Sequence, residues 1–269
     1  SNHAMELFGQ LSGMALVLVN FPTIITISLA ASLVPAISEA FALQKANLIK
    51  KRTESALRLT ILIGLPASVG LFILAKPLTT VIFNNVNAAI PLRYVSWGVL
   101  FITVQQTSAA ILQGIGKTSI PARNLFIGAI INGIINFSLT ALPQFGIRGA
   151  AIGTVTGFGI AALLNLIYVK LYTNFRFKFR SLIIKPVLAV AVMGIIVRFG
   201  FGLLLKMIDL INNYSYIIST FGIVLIAVLS YLLILLLLNE IKYSDLKLIP
   251  KVGDKLADKL QKLGLVGDK

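Results

Sequence analysis

The residues able to do acid–base or metal chemistry are few, and they sit in the wrong places for it. The nine carboxylates are Glu6, Glu39, Glu54, Asp209, Glu240, Asp245, Asp254, Asp258 and Asp268, and none falls in the middle of an apolar stretch. The single histidine, His3, lies at the N-terminus, and there are no cysteines. Disulfides and thiolate metal sites are therefore out. Neither a carboxylate pair nor a Ser/His/Asp set can be assembled, so no catalytic residue, metal or cofactor is expected and the chain is not read as an enzyme. Proton- or sodium-coupled carriers often bury a carboxylate in the membrane, and this chain offers no candidate.

Two fragments of known motifs lose to plainer readings. Gly116-Lys117-Thr118 matches the end of a phosphate-binding loop, but Ile111 stands where the first glycine is required, and no strand precedes it. It reads as a turn. Gly253, within Ile249–Leu260, resembles the hairpin loop of a DNA-binding helix pair, yet only one helix could form there. No nucleic-acid partner is expected.

What remains is polar but uncharged. The first apolar stretch holds Asn20, Thr23, Thr26, Ser28 and Ser32; the third holds Gln105, Gln106, Thr107 and Ser108; the fourth holds Asn132 and Asn136 at i, i+4; the fifth holds Asn165. Helical spacing places Asn20, Thr23 and Thr26 near one face, which Pro22 would bend. An amide in hydrocarbon is costly unless paired. These residues either join helices by hydrogen bonds or line a polar cavity for a hydroxyl-rich substrate. On the second reading the cavity wall is Asn20, Thr23, Gln105, Gln106, Asn132 and Asn136, with Gln105 or Gln106 facing the asparagine pair. Gly149, Gly153 and Gly157 form two small-xxx-small steps suited to close helix packing.

The elements that position these residues follow from composition. Of 269 residues 57% are hydrophobic and 12% charged, with a mean hydropathy of +0.93. Soluble domains carry roughly 25% charged residues. A soluble enzyme and a disordered chain are both excluded. Seven stretches approach or exceed the ~20 apolar residues a membrane span needs: Leu11–Ser38, Leu57–Phe83, Tyr94–Leu112, Ile120–Leu142, Gly149–Leu171, Leu182–Leu205 and Tyr214–Leu238. A lipid-facing isolated strand cannot satisfy its backbone, so these are helices. The fold class is an all-α integral membrane bundle of seven helices. Residues 1–10 read as an external lead-in without the features of a signal peptide, 11–239 as the transmembrane lobe, and 240–269 as a basic amphipathic tail. In that tail Val252, Leu256, Leu260 and Leu263 form one helical stripe flanked by lysines.

The charge distribution orients the bundle. Of 24 Lys and Arg, 19 fall in the gaps after stretches one, three, five and seven. The other five are Lys76, Arg93, Arg148, Lys206 and Arg198, the last late in stretch six. The positive-inside bias then puts the N-terminus outside and the C-terminus in the cytoplasm of a multi-pass membrane protein.

Three segments carry a family resemblance: Phe21-Pro-Thr-Ile-Ile-Thr-Ile-Ser-Leu-Ala-Ala-Ser-Leu-Val-Pro-Ala-Ile-Ser-Glu-Ala40, Leu57-Arg-Leu-Thr-Ile-Leu-Ile-Gly-Leu-Pro-Ala-Ser-Val-Gly-Leu71, and Leu112-Gln-Gly-Ile-Gly-Lys-Thr-Ser-Ile-Pro121. Their order resembles the C-terminal half of the stage V sporulation protein B family of polysaccharide transporters. That family is grouped with lipid II flippases in the multidrug/oligosaccharidyl-lipid/polysaccharide exporter superfamily. The resemblance implies helices eight to fourteen of a fourteen-helix transporter. It implies alternating access and a lipid-linked oligosaccharide or lipid II-like substrate, with membrane lipid and the other half of the transporter as partners. The cation that some relatives carry shortly before Phe-Pro is absent from Leu16-Val-Leu-Val-Asn-Phe-Pro22. A multidrug or cation extruder of the same superfamily, or a non-transporting scaffold of a wall-synthesis complex, are the alternatives.

The orientation can be tested directly because the chain lacks cysteine. A single cysteine at Asn85 should react with an impermeant thiol reagent in intact cells, and one at Asn47 should be shielded. The opposite labelling pattern would invert the topology.

Overall fold

A computed structural model of the chain describes residues 2–142, 144–175, 183–209 and 215–238. The tail stripe and the cations Arg176, Lys178 and Arg180 lie outside the described residues. Every regular element among the described residues is helical. In chain order they are α1 (Asn2–Gly9), a π-helical segment (Gln10–Ala15), α2 (Leu16–Ala42), α3 (Ala46–Ile73), α4 (Ala75–Phe83), α5 (Ala89–Val95), α6 (Gly98–Gly114), α7 (Ser119–Thr140), α8 (Ile147–Thr173), α9 (Lys185–Asp209) and α10 (Ser215–Leu237).

Six helices among the described residues are long and apolar enough to cross a membrane, and α5 with α6 makes a seventh if that pair, bent by 43°, is one span. The chain is thus an all-α membrane bundle. Three boundaries differ from the sequence reading. Helix begins at Asn2, and Met5–Ala42 is continuous enough to count as one span. Lys45–Ser55 belong largely to α3, which carries Arg58 into the bundle. The stretch after Ile73 breaks away as the separate helix α4, with Pro77 in its first turn, where a missing N–H costs nothing. Hydropathy could not see that break, because both sides of it are apolar.

Helix α6 occupies the centre. Thirteen of its seventeen residues are buried, an unusual share for a helix in a membrane protein that could face lipid. Helices α2, α3 and α8 pack around it, α7 lies outside α8, and the α9–α10 pair flanks α3. Small residues permit the close approaches. A Cβ added at Gly114 would lie 2.7 Å from the Ile37 Cβ, and one at Gly64 would collide with the Thr103 hydroxyl. The apolar core has three parts. One gathers Leu18, Val19, Leu92, Val95 and Val99; a second gathers Leu33, Ile37, Leu57, Ile111 and Leu112; a third gathers Val190, Met193, Val197, Ile223 and Leu235 between α9, α10 and α3.

Backbone groups that the helices cannot satisfy themselves are met by side chains. Pro66 has no N–H, so the carbonyl of Leu62, one turn earlier, loses its helical partner. The Tyr231 hydroxyl of α10 donates to that carbonyl at 2.9 Å. The N–H of Leu100, in the first turn of α6, also lacks a helical acceptor. It donates to the Ser68 Oγ of α3 at 3.1 Å, while Ser68 donates to the Gly64 carbonyl at 2.9 Å.

The seam between α7 and α8 is set by glycine. A Cβ at Gly149 would lie 2.7 Å from the Leu139 Cβ; one at Gly153, 2.9 Å from Asn132 Oδ1; one at Gly157, 2.7 Å from the Gly128 carbonyl. Gly128, on the facing helix, is as tightly enclosed, and a Cβ there would run into the Gly157 carbonyl. By contrast, Gly133 on α7 has nothing within 4 Å of such an atom. Gly157→Ala should therefore destabilise the bundle by about 1–3 kcal/mol, since backbone must move. Gly133→Ala should be neutral or stabilising by about 0.5–1 kcal/mol through helix propensity. Thermal unfolding of the two variants in detergent checks this, and equal midpoints would refute the seam.

Candidate functional site

The polar residues are not gathered in one wall but distributed over two seams. The first is a groove of about 350 Å³ between α2 and α6. Gln105, Gln106 and Gln113 contribute amides, and Ile27, Ala30, Ala31 and Val34 form the opposite, apolar side. Glutamines one and seven residues apart share the groove because each long side chain can swing from the edge of the helix face. Thr26 Oγ1 donates to Gln106 Oε1 at 2.8 Å and so ties the two walls together. Thr26 also reaches the Thr23 carbonyl, and Thr23 reaches the Asn20 carbonyl at 2.7 Å. Thr23 is buried, whereas Asn20 is exposed and uses only its backbone in this chain of bonds.

The second seam lies between α7 and α8. Asn132 and Asn136 face α8 across Gly153, with Asn132 Cβ also close to Gly157. Asn132 Oδ1 is buried and has no hydrogen-bond partner among the described residues. Asn136 accepts from the Thr140 hydroxyl through its Oδ1 at 3.0 Å, and the same hydroxyl reaches its backbone carbonyl. The expected opposition of Gln105 or Gln106 to the asparagine pair is not seen. Helix α8 stands between α6 and α7, so the two sets of amides occupy different seams.

Two groups escaped the sequence reading. Asn124, 1% exposed, donates through Nδ2 to Asn165 Oδ1 at 2.9 Å, and Asn165 Nδ2 reaches the Gln105 carbonyl at 3.5 Å. This chain links α7, α8 and α6. Its signal was available, since Asn165 was singled out, but nothing local in the sequence says which amide it meets. Arg58, counted among the cations of a gap, is 5% exposed within α3, beside the buried Thr60. Thr60 and Thr107 share a hydroxyl hydrogen bond of 2.6 Å between α3 and α6. Arg58 follows Leu57 at the start of the apolar run, and hydropathy alone could not separate an entry residue from an interior one.

The arrangement provides hydrogen-bond donors and acceptors along a groove that is otherwise apolar. Such a surface binds hydroxyl-rich or amide-rich groups without reacting with them. No group of three or more His, Cys, Asp or Glu able to hold a metal occurs among the described residues.

Comparison with known proteins agrees in kind. The family model described as "Lipid II flippase MurJ" matches residues 12–224. The chain is 29% identical to stage V sporulation protein B of Bacillus subtilis over 255 residues, covering 93% of this chain and 47% of that protein. It is 28% identical to the lipid II flippase MurJ of the same organism over 189 residues, covering 67% of this chain and 34% of the relative. It is 22% identical to the probable low-salt glycan biosynthesis flippase Agl15 of Haloferax volcanii over 189 residues, with 70% and 39% coverage. The chain thus spans about half the length, or less, of the curated relatives it matches. Because that family model matches most of its length, the chain belongs to the lipid II flippase MurJ family.

Proposed function

We propose that this chain forms the C-terminal lobe of a flippase that moves a lipid-linked cell-wall or polysaccharide precursor across the bacterial plasma membrane. The observation that carries the reading is the groove between α2 and α6. Its Gln106 is met by the Thr26 hydroxyl, while Gln105 and Gln113 also line the groove, and an amide left unpaired in lipid costs about 1–2 kcal/mol, so a bound polar group would be favoured there. The names of the MurJ and Agl15 relatives describe flippases, one for lipid II and one in glycan biosynthesis, and such cargo carries sugars that amides can bind. The relatives' greater length supports a second lobe that completes the transporter.

In this reading the lobe acts by binding and reorienting, with no covalent step. Repeat-built transporters place substrate near the membrane midplane between two halves and rock them alternately. The groove amides would hold the saccharide, and Thr26, bonded to Gln106, would hold the two walls at a fixed spacing. The apolar surface of α9 and α10, where Phe199, Leu225 and Leu237 are exposed, would accommodate the lipid tail. The positive-inside charge bias supports an orientation with the N-terminal end of this lobe outside and its tail in the cytoplasm.

The function is tested by depleting the full-length protein and following lipid-linked precursor on the outer leaflet. The flippase reading expects its appearance to slow and precursor to accumulate inside. A normal rate of appearance refutes it, and an unchanged precursor with altered drug efflux would favour an extruder. The site is tested by Gln106→Ala and Asn132→Ala in the full-length protein. A residue that lines the path should lose several-fold activity at normal abundance. One that only joins helices should lose abundance and activity together.

A further inference from the structure

Two arginines and three aromatic rings meet in a second pocket, away from the glutamine groove and built from other helices. It has a volume of about 380 Å³ and is lined by Phe72 at the end of α3, by Ile90, Arg93, Tyr94 and Trp97 on α5 and at the entry to α6, and by Arg148 in the first turn of α8. Both arginines were counted only as scattered cations in the sequence. The fold brings them together from positions 55 residues apart.

Three features make the lining of the pocket positive, with both arginines exposed. Neither guanidinium has a carboxylate partner among the described residues. Arg148 sits at the start of α8, so its charge adds to the positive end of a 27-residue helix instead of offsetting the negative end. Two like charges then share one small volume, an arrangement that a bound anion relieves. The Arg148 guanidinium lies over the Tyr94 ring, 5.7 Å from its centroid. That contact holds the guanidinium near the ring by cation–π attraction, and a guanidinium carries N–H donors in a fork that matches phosphate oxygens.

The rings say where the pocket sits. Phe72 and Trp97 pack with centroids 5.5 Å apart, and Tyr94 and Trp97 are 38% and 47% exposed. Exposed Trp and Tyr at the end of an apolar bundle mark the membrane interface. An anion held there lies at the depth of the lipid headgroups, where phosphate is concentrated.

We propose that Arg93, Arg148, Tyr94 and Trp97 form an interfacial binding site for the phosphate headgroup of an anionic lipid. The chemistry is shared by two sources: a bulk phospholipid such as phosphatidylglycerol, and a polyprenyl diphosphate. The site requires only that the bundle spans a membrane, so its failure would leave the transport reading standing, and the reverse holds as well.

Trp97 is the single tryptophan of the chain, so fluorescence excited at wavelengths that tyrosine does not absorb reports on this pocket alone. The chain is reconstituted in vesicles containing brominated phosphatidylglycerol or brominated phosphatidylcholine, and quenching is compared at equal mole fraction. A phospholipid site predicts a preference for phosphatidylglycerol of about fivefold or more, falling with salt. Arg93→Gln with Arg148→Gln should bring the ratio to about one while helical circular dichroism is unchanged, and Arg198→Gln on α9 should leave the preference intact. In the second arm, unlabelled polyprenyl diphosphate is added to brominated phosphatidylcholine vesicles. Relief of quenching in the parent chain but not in the double variant, without any phosphatidylglycerol preference, would assign the site to the diphosphate carrier. Absence of both effects in the parent chain, or a preference that survives loss of both arginines, would overturn the proposal.

Discussion

The structure depends on the need to satisfy every polar backbone group away from water. Helices meet most of that need, but a helix that must bend, start or end inside the bundle leaves groups behind. Pro66 frees the Leu62 carbonyl, and a tyrosine from α10 supplies the missing donor. The first turn of α6 frees the Leu100 N–H, and a serine from α3 supplies the acceptor. These two bonds join three helices at the places where regular helix fails. The central position of α6 follows, since its broken entry at Trp97 needs neighbours on several sides.

Around that centre, small residues decide how closely the helices approach, and amides decide what the approach leaves polar. Glycine at 64, 114, 128, 149, 153 and 157 allows backbone-to-backbone contact. Such packing matters more in lipid than in water, because hydrophobic burial gives no net drive between helices already surrounded by hydrocarbon. The amides then divide by seam. Asn124 and Asn165 are mutually satisfied deep between α7 and α8, and their bond holds helices together. Gln105, Gln106 and Gln113 adjoin a groove instead, where a bound group can replace internal partners. The bundle thus has both arrangements: closed amide seams between helices, and a groove where amides remain accessible.

The family match and the groove bear on different questions. Membership rests on the sequence match across residues 12–224. What the lobe touches rests on the side chains, and those place hydrogen-bonding groups without titratable ones along the groove. Uncharged amides suit the hydroxyls of the saccharide cargo proposed for this groove. The positive pocket formed by Arg93 and Arg148 lies on other helices and answers to a different chemistry, that of phosphate at the membrane surface.

Much of the fold was legible in the sequence because a bilayer reads chains by simple rules. Length and hydropathy located the spans, and Gly149, Gly153 and Gly157 could be picked out by spacing alone. Tertiary structure decided what those rules do not encode. The break after Ile73 lies within one apolar run interrupted only by Lys76, too brief a step to end a span by hydropathy. Arg58 lies one residue inside an apolar run, and only the packing of α3 against α6 buries it. The two glutamines and the two asparagines looked like one wall because all four are amides on neighbouring stretches, yet α8 packs between α6 and α7 and separates them. Arg93 and Arg148 looked unrelated at 55 residues apart, and the docking of α5 on α8 made them one pocket. Sequence determines which groups a helix carries and on which face; it does not determine which face meets which, because that choice rests on contacts between residues far apart in the chain.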